Sequence, residues 1–224
     1  MSCRSAFVGG GQLMAKQERS ERTQEKLIVS AAEQFALQGF VKATLGDVSQ
    51  AAGVTKGALF FHFATKDDLA AAVQKRGRDI LDAMIADMSG SGESSLRVAV
   101  DTVHGLNRLL RSDPFVLAGV RIARERTTTA GSERMDFYSL WLGRLGEVLE
   151  KARKNGELAD GVADASAHAA ITAIVCAVET LAWMGVSEGE SDHWLESLLD
   201  LVLPAIASED GLRGVGSTTS RITR

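Results

Sequence analysis

Apolar residues recur at helical spacing along most of the chain. Ile28, Ala31, Ala32 and Phe35 fall at i, i+3, i+4 and i+7 and predict a first helix from Thr23 to Gln38, which Gly39 stops. Thr44, with Asp47 three residues on, predicts the capped start of a short second helix, Leu45 to Ala52, ended by Gly53. Thr55 caps a third, Lys56 to Phe61. Thr65 caps a fourth, with Asp67 and Asp68 in the first turn, where the helix dipole favours carboxylates. Leu69, Val73, Ile80, Leu81, Met84, Ile85 and Met88 keep one side of that helix apolar, and SGSGES at 89–94 breaks it. Five more helices are predicted: Ser95 to Arg111, Phe115 to Arg124, Arg134 to Asn155, Asp164 to Met184 and His193 to Ala207. The polar stretches 125–133 and 187–192 read as loops, and the charged residues 15–22 as loose chain.

Alternating Val/Ile/Thr runs are rare and only two prolines occur, so the chain is expected to be all-α. It is expected to divide into an extension that is disordered or precedes the true start (1–19), a three-helix head with a helix-turn-helix (20–66), a helical ligand-binding and dimerisation body (67–208) and a disordered tail (209–224). The glycine run before Met14 matches the G-rich coding of a ribosome-binding site, which makes Met14 a candidate start and a disordered arm the other reading.

Composition then narrows the function. At 45% hydrophobic, 224 residues can bury a real core. The net charge of -4 argues against a nucleic-acid binder until it is divided along the chain. Residues 1–76 hold 10 Lys/Arg and 7 Asp/Glu, leaving 15 and 22 of the chain's 25 and 29 for the remainder. The basic excess therefore lies in the head, where phosphates would be met. Cys3 and Cys176 are placed for no structural disulfide, which points to a reducing cytoplasm. The longest apolar stretch, 167–184, is interrupted by His168, Thr172, Thr180 and Glu179, so no membrane partner is expected. The first fourteen residues are too polar for a signal peptide. The four histidines make no metal-ligand spacing, and no P-loop, G-x-S-x-G or dinucleotide fingerprint is present. No enzyme and no cofactor are expected.

The segment LGDVSQAAGVTKGALFFHF, 45–63, is where the chemistry gathers. Two short helices joined by a tight turn can push a helix into the major groove of DNA. Lys56 opens the third helix, in reach of a guanine edge or a phosphate. Gly57 permits close approach to the groove wall. Thr44, Thr55, His62 and Lys66 lie where the duplex backbone would pass. An ordinary helical corner uses the same residue types, and His62, Leu59 and Phe63 also suit packing.

The ordered string T-x6-A-x-x-A-G-V-T-K-G-A-L-x-x-H-F-x-x-K-x-x-L resembles the N-terminal domain of TetR-family regulators. That resemblance implies an all-α homodimer on a palindromic double-stranded operator. DNA contacts would fall at Thr44, Thr55, Lys56, Gly57, Phe60, His62 and Lys66. Phe60 stands where the family usually has tyrosine, so a phosphate hydroxyl contact is lost, while the ring can still meet sugar or a thymine methyl. The head together with DPFVLAGVRIA (113–123) and DFYSLW (136–141) is similar to the γ-butyrolactone receptor branch, which controls antibiotic production. That likeness implies a small hydrophobic ligand roofed by Trp141. By residue type, Phe137, Leu140, Val120, Val175 and Trp183 suit an apolar wall and Thr172 and Thr180 polar anchors. Phe137 and Trp141, at i and i+4, also read as the core stripe of the seventh helix. An antibiotic sensor or pseudo-receptor controlling an efflux or biosynthetic gene, and a helical interaction module without DNA binding, remain the other readings.

Overall fold

The structure is a computed structural model that describes residues 9–90, 92–126 and 136–216, with side chains described at 14, 16–90, 92–126 and 141–216. Ten helices are described: α1 (Gly9–Gln38), α2 (Leu45–Ala51), α3 (Lys56–His62), α4 (Lys66–Ser89), α5 (Ser95–Ser112), α6 (Pro114–Arg126), α7 (Asp136–Lys154), α8 (Asp164–Trp183), α9 (Glu188–Ile206) and α10 (Glu209–Val215). No strand occurs among the described residues, only an isolated bridge between Leu158 and Ala207.

The caps act as the sequence predicts. Thr44 and Thr65 each close a capping box, with Asp47 and Asp68. Thr55 accepts from the Ala58 amide. Gly39 ends α1 with φ +86°, a backbone conformation that favours glycine.

Three boundaries differ from the sequence reading. Residues 9–22, expected loose, continue α1, supported on its exposed surface by Gln17 on Glu21 and Thr23 on the Arg19 carbonyl. α9 starts at Glu188, inside the expected loop, because Ser187 caps it and Glu188 and Glu190 suit its first turn. Residues 209–215, expected to be disordered tail, form α10, which packs on α5. Its dock is tight: a Cβ at Gly211 would sit 2.0 Å from the Glu157 carbonyl oxygen. Glu157 in turn accepts from the Ser95 and Leu96 amides and so satisfies the start of α5 from a distance.

Two cores form. The head core joins Leu27, Phe35, Val48, Leu59, Phe63, Leu69 and Val73 to Phe115, Ala118 and Ile122 of α6. The body core gathers α5, α7, α8 and α9 around Trp141, Leu145, Leu106, Ile171 and Leu199. At about 25 cal/mol per Å² of buried apolar surface, these clusters supply most of the folding drive. Within the described residues α8 alone is long and apolar enough to cross a membrane, with a third of that window buried. The stretch set aside as interrupted therefore meets the length and composition of a span. Its buried third packs on α5, α7 and α9.

Candidate nucleic-acid interface and interior ligand site

α3 is seven residues long and buries Leu59, with Phe63 buried at its cap. Those anchors fix its rotation. Lys56, Gly57, Phe60 and Phe61, at i, i+1, i+4 and i+5, are all exposed and share the outward face. Lys56 rises from the first turn, its Nζ 3.8 Å from where a Cβ at Gly46 would lie. Beside Gly57 a Cβ would meet only Thr55 Oγ1, at 3.9 Å, so the approach to the backbone is open. Thr55 is exposed, and its hydroxyl accepts from Ala58 N at 3.1 Å with its proton directed elsewhere. His62 is half-buried and meets the Phe61 ring edge-on, centroids 5.2 Å apart.

Two residues expected as backbone donors are engaged within the head. The Thr44 hydroxyl donates to Asp47 Oδ2 at 2.7 Å, and its amide donates to the same oxygen. These bonds hold the Asp47 carboxyl below its usual range. Lys66 Nζ donates to the Val41 carbonyl at 3.2 Å and stands 4.4 Å over the Phe40 ring. Partial burial lowers the Lys66 pKa, opposed by the charges of Asp67 and Glu125. Lys66 is thus a strut of the α1–α2 turn.

The same turn is gripped by the end of α6, which the sequence reading did not single out. Glu125 Oε2 accepts from the Val41 amide at 2.7 Å. Arg121 donates to the Ala36 carbonyl, and Arg126 donates to Asp67 and lies over the Phe40 ring. Two residues before Arg126, Arg124 reaches α8: its Nη2 lies 3.6 Å from Glu179 Oε2 and donates to Thr180 Oγ1 at 3.2 Å. The signal was the charge pattern Arg121, Arg124, Glu125, Arg126, but its partners are 55–85 residues away in sequence and become visible only in the fold.

In the body, Trp141, Val120 and Val175 are all buried in one core. Trp141 is 1% exposed and its Nε1 has no hydrogen-bond partner among the described residues. A buried indole N–H left unpaired costs about 1–3 kcal/mol, so it marks a place where an acceptor would be welcome. The other expected wall residues are dispersed. Thr172 is half-buried, with its hydroxyl 3.5 Å from His168 Nδ1. Trp183 is 63% exposed at the end of α8, outside the buried body core. The Phe137 and Leu140 side chains lie outside the described residues. Trp183, Trp194 and Leu201 instead mark an exposed apolar face of α8 and α9, with a groove of about 550 Å³ lined by Ile174, Cys176, Trp194 and Leu198. No metal-binding group of three His, Cys, Asp or Glu occurs among the described residues.

Comparison with known proteins places this architecture. The family description "Bacterial regulatory proteins, tetR family" matches residues 27–73, which span most of the head and the start of α4. The A-factor receptor protein of Streptomyces griseus is 30% identical over 145 residues, 65% of this chain and 49% of that protein. The probable acrEF/envCD operon repressor of Escherichia coli is 45% identical over 58 residues, 25% of this chain and 26% of the repressor. The chain thus aligns with about half the length of the first of these curated relatives and a quarter of the second. The crystal structure of a gamma-butyrolactone receptor (ArpA-like protein) superposes with a TM-score of 0.70 at 25% identity, covering 88% of this chain and 95% of the receptor. CprB from Streptomyces coelicolor, solved in complex with its biological operator sequence, superposes with a TM-score of 0.67 at 26% identity, covering 88% and 94%. Residues 27–73 thus match the tetR family of bacterial regulatory proteins, and the chain's structural likenesses include gamma-butyrolactone receptors. These relatives are regulators and receptors, not enzymes.

Proposed function

We propose that this chain is a DNA-binding transcriptional repressor that leaves its operator when a small hydrophobic ligand, of γ-butyrolactone type, enters the body. The observation that carries the reading is the outward face of α3. A short helix, locked by Leu59 and Phe63, presents Lys56 and the open Gly57 as exposed positions among the described residues. The basic excess of residues 1–76 lies in the same region.

The repressor acts as a homodimer. The exposed Trp183, Trp194 and Leu201 give α8 and α9 an apolar face suited to a second copy. Two heads would then enter successive major grooves about 34–36 Å apart on a palindromic site.

Ligand release follows from the contacts of α6. Trp141 Nε1 is the donor that awaits a carbonyl acceptor, in a core of Val120 and Val175. A ligand seated there displaces α6, which holds α8 through Arg124 and the head through Arg121, Glu125 and Arg126. The ligand needs only a differential affinity for the two head positions, typically about 1–3 kcal/mol, or roughly 5- to 150-fold in operator affinity.

Mobility shift of the full-length protein on duplexes from the region upstream of its gene tests the reading. We expect a shifted band that a γ-butyrolactone abolishes. Lys56→Ala should weaken the shift by about 1–3 kcal/mol. Trp141→Phe should keep the shift and lose the response to lactone. No shift at low salt would end the DNA reading. A shift relieved only by a bulky antibiotic would replace the ligand class.

A further inference from the structure

Phe61 is the most exposed large hydrophobic side chain among the described residues, at 79%, and Phe60 beside it is 54% exposed. Both stand on the outward face of α3, one turn after Gly57 and Lys56 respectively. Two aromatic rings held in water have an apolar-surface cost that packing within the head does not offset. Neither ring carries a hydrogen-bonding group, so neither can read a donor or acceptor on a base edge.

The geometry around Phe61 is specific. Phe61 follows Gly57 by one helical turn, so its ring stands on the same face beside the open Gly57 backbone. Gly57 offers no Cβ, and its flank is empty out to Thr55 Oγ1 at 3.9 Å. The His62 ring meets Phe61 edge-on at an interplanar angle of 87°, which restrains the ring from one side. What remains is a shallow apolar step, bounded by the Gly57 backbone and a ring face and flanked by the Lys56 ammonium. In the major groove the one apolar feature of a base pair is the C5 methyl of thymine.

We propose that Phe61, with Phe60 beside it, is a specificity-determining residue that reads thymine methyl groups in the operator, Gly57 leaving the room in which a methyl is received. This rests on the DNA-binding reading and adds what the face selects: A·T pairs whose thymine faces α3, next to a guanine or phosphate met by Lys56. Aromatic–methyl contact would take the place of a phosphate-bonding tyrosine hydroxyl at position 60.

The test uses full-length protein and a random duplex library. The tightest-binding duplex is synthesised twice, once with thymine and once with uracil at every thymine position. Uracil keeps every hydrogen-bonding group and removes only the C5 methyl. Binding is read by fluorescence anisotropy. Each methyl that is buried should contribute about fourfold in affinity, so the wild-type protein should bind the uracil duplex at least about fourfold more weakly. Phe61→Ala should bind the thymine duplex more weakly and bring the thymine-to-uracil ratio close to one, while Phe61→Leu should retain part of it. Phe61 is exposed, so these variants should fold, with circular dichroism as the check. Equal affinity of wild type for both duplexes overturns the proposal and leaves DNA binding standing. A ratio that persists undiminished in Phe61→Ala also overturns it, by assigning the methyl effect to duplex shape. Failure to select any duplex overturns the DNA-binding reading and this inference with it.

Discussion

In the head, each short helix and the start of α4 begins on a threonine whose hydroxyl is bonded, and the Thr44 and Thr65 caps are reciprocal with Asp47 and Asp68. In the body, Trp141 Nε1 and His104 Nε2 are buried with no partner among the described residues, and the Glu179 carboxylate lies 1% exposed, paired with Arg124. Both regions enclose dense apolar cores. They differ in where polar groups are left waiting. A surface that meets a large charged polymer works with exposed groups on a stiff support. An interior that receives a small ligand works with buried groups kept short of a partner. The end of α6 touches both regions, and its contacts give the difference a route between them.

The stiff support is the first place to break this comparison. Phe35 is fully buried in the head core, which α6 completes with Phe115, Ala118 and Ile122. Phe35→Ala should cost about 3–5 kcal/mol, read as a shift of the urea midpoint. Because the core is shared with α6, head and body should still unfold in one transition. Two separate transitions would show that the head is an independent unit.

A smaller effect belongs to the far side of the body. At Gly211 a Cβ would collide with the Glu157 carbonyl, so Gly211→Ala should overpack the α10 dock and cost about 1–3 kcal/mol. Duplex affinity measured well below the melting temperature should stay unchanged. A loss of affinity out of proportion to the loss of folded protein would tie α10 to the head, against the present account.

The smallest effect concerns His104. Burial holds its pKa below the ordinary histidine value, against the raising influence of Asp192, Asp101 and Glu196 and with the lowering influence of Arg108. The folded state then binds its proton less readily than the unfolded state. Stability from this group is full above the unfolded value of about 6.5 and falls as the pH drops through it toward the folded value. Urea midpoints should therefore decline from pH 7.5 to pH 5.5, and His104→Asn should flatten that decline. An unchanged pH profile in the variant would remove His104 as a source of the loss.

The beginnings and ends of α2, α3 and α4 were legible to within one residue because threonine caps and turn glycines are local signals, tied to backbone atoms three or four residues away. The start of α9 at Glu188 was missed for the converse reason: SEGESD reads as a polar loop until Ser187 is recognised as a cap. α10 was missed in spite of a local cap, Ser208 accepting from the Gly211 amide, because so short a helix depends on its dock. Its seven residues hold their place through Gly211 against Glu157 and the Ser208 amide on the Glu157 carbonyl. In the candidate site, Lys56 and Gly57 could be named from the motif, and Trp141 from its likeness to receptor sequences. The phase of a seven-residue helix was harder. Only the buried positions of Leu59 and Phe63 show that Phe61 faces outward and that Lys66 turns back onto Phe40. Trp183 illustrates the opposite error: an apolar residue in an apolar helix was placed in the interior, while the rotation of α8 puts it on the surface.

The central claim is that the outward face of α3 meets duplex DNA through Lys56. The salt dependence of duplex affinity tests it most directly, measured on the full-length protein and on Lys56→Ala with one selected duplex. The account predicts that log K falls linearly with log salt for the wild type, and that Lys56→Ala, if the contact is to phosphate, lowers that slope by about one. If the contact is to a guanine edge, the variant should instead lose affinity for that site with the slope nearly kept. A variant that retains both the affinity and the slope of the wild type would contradict the account.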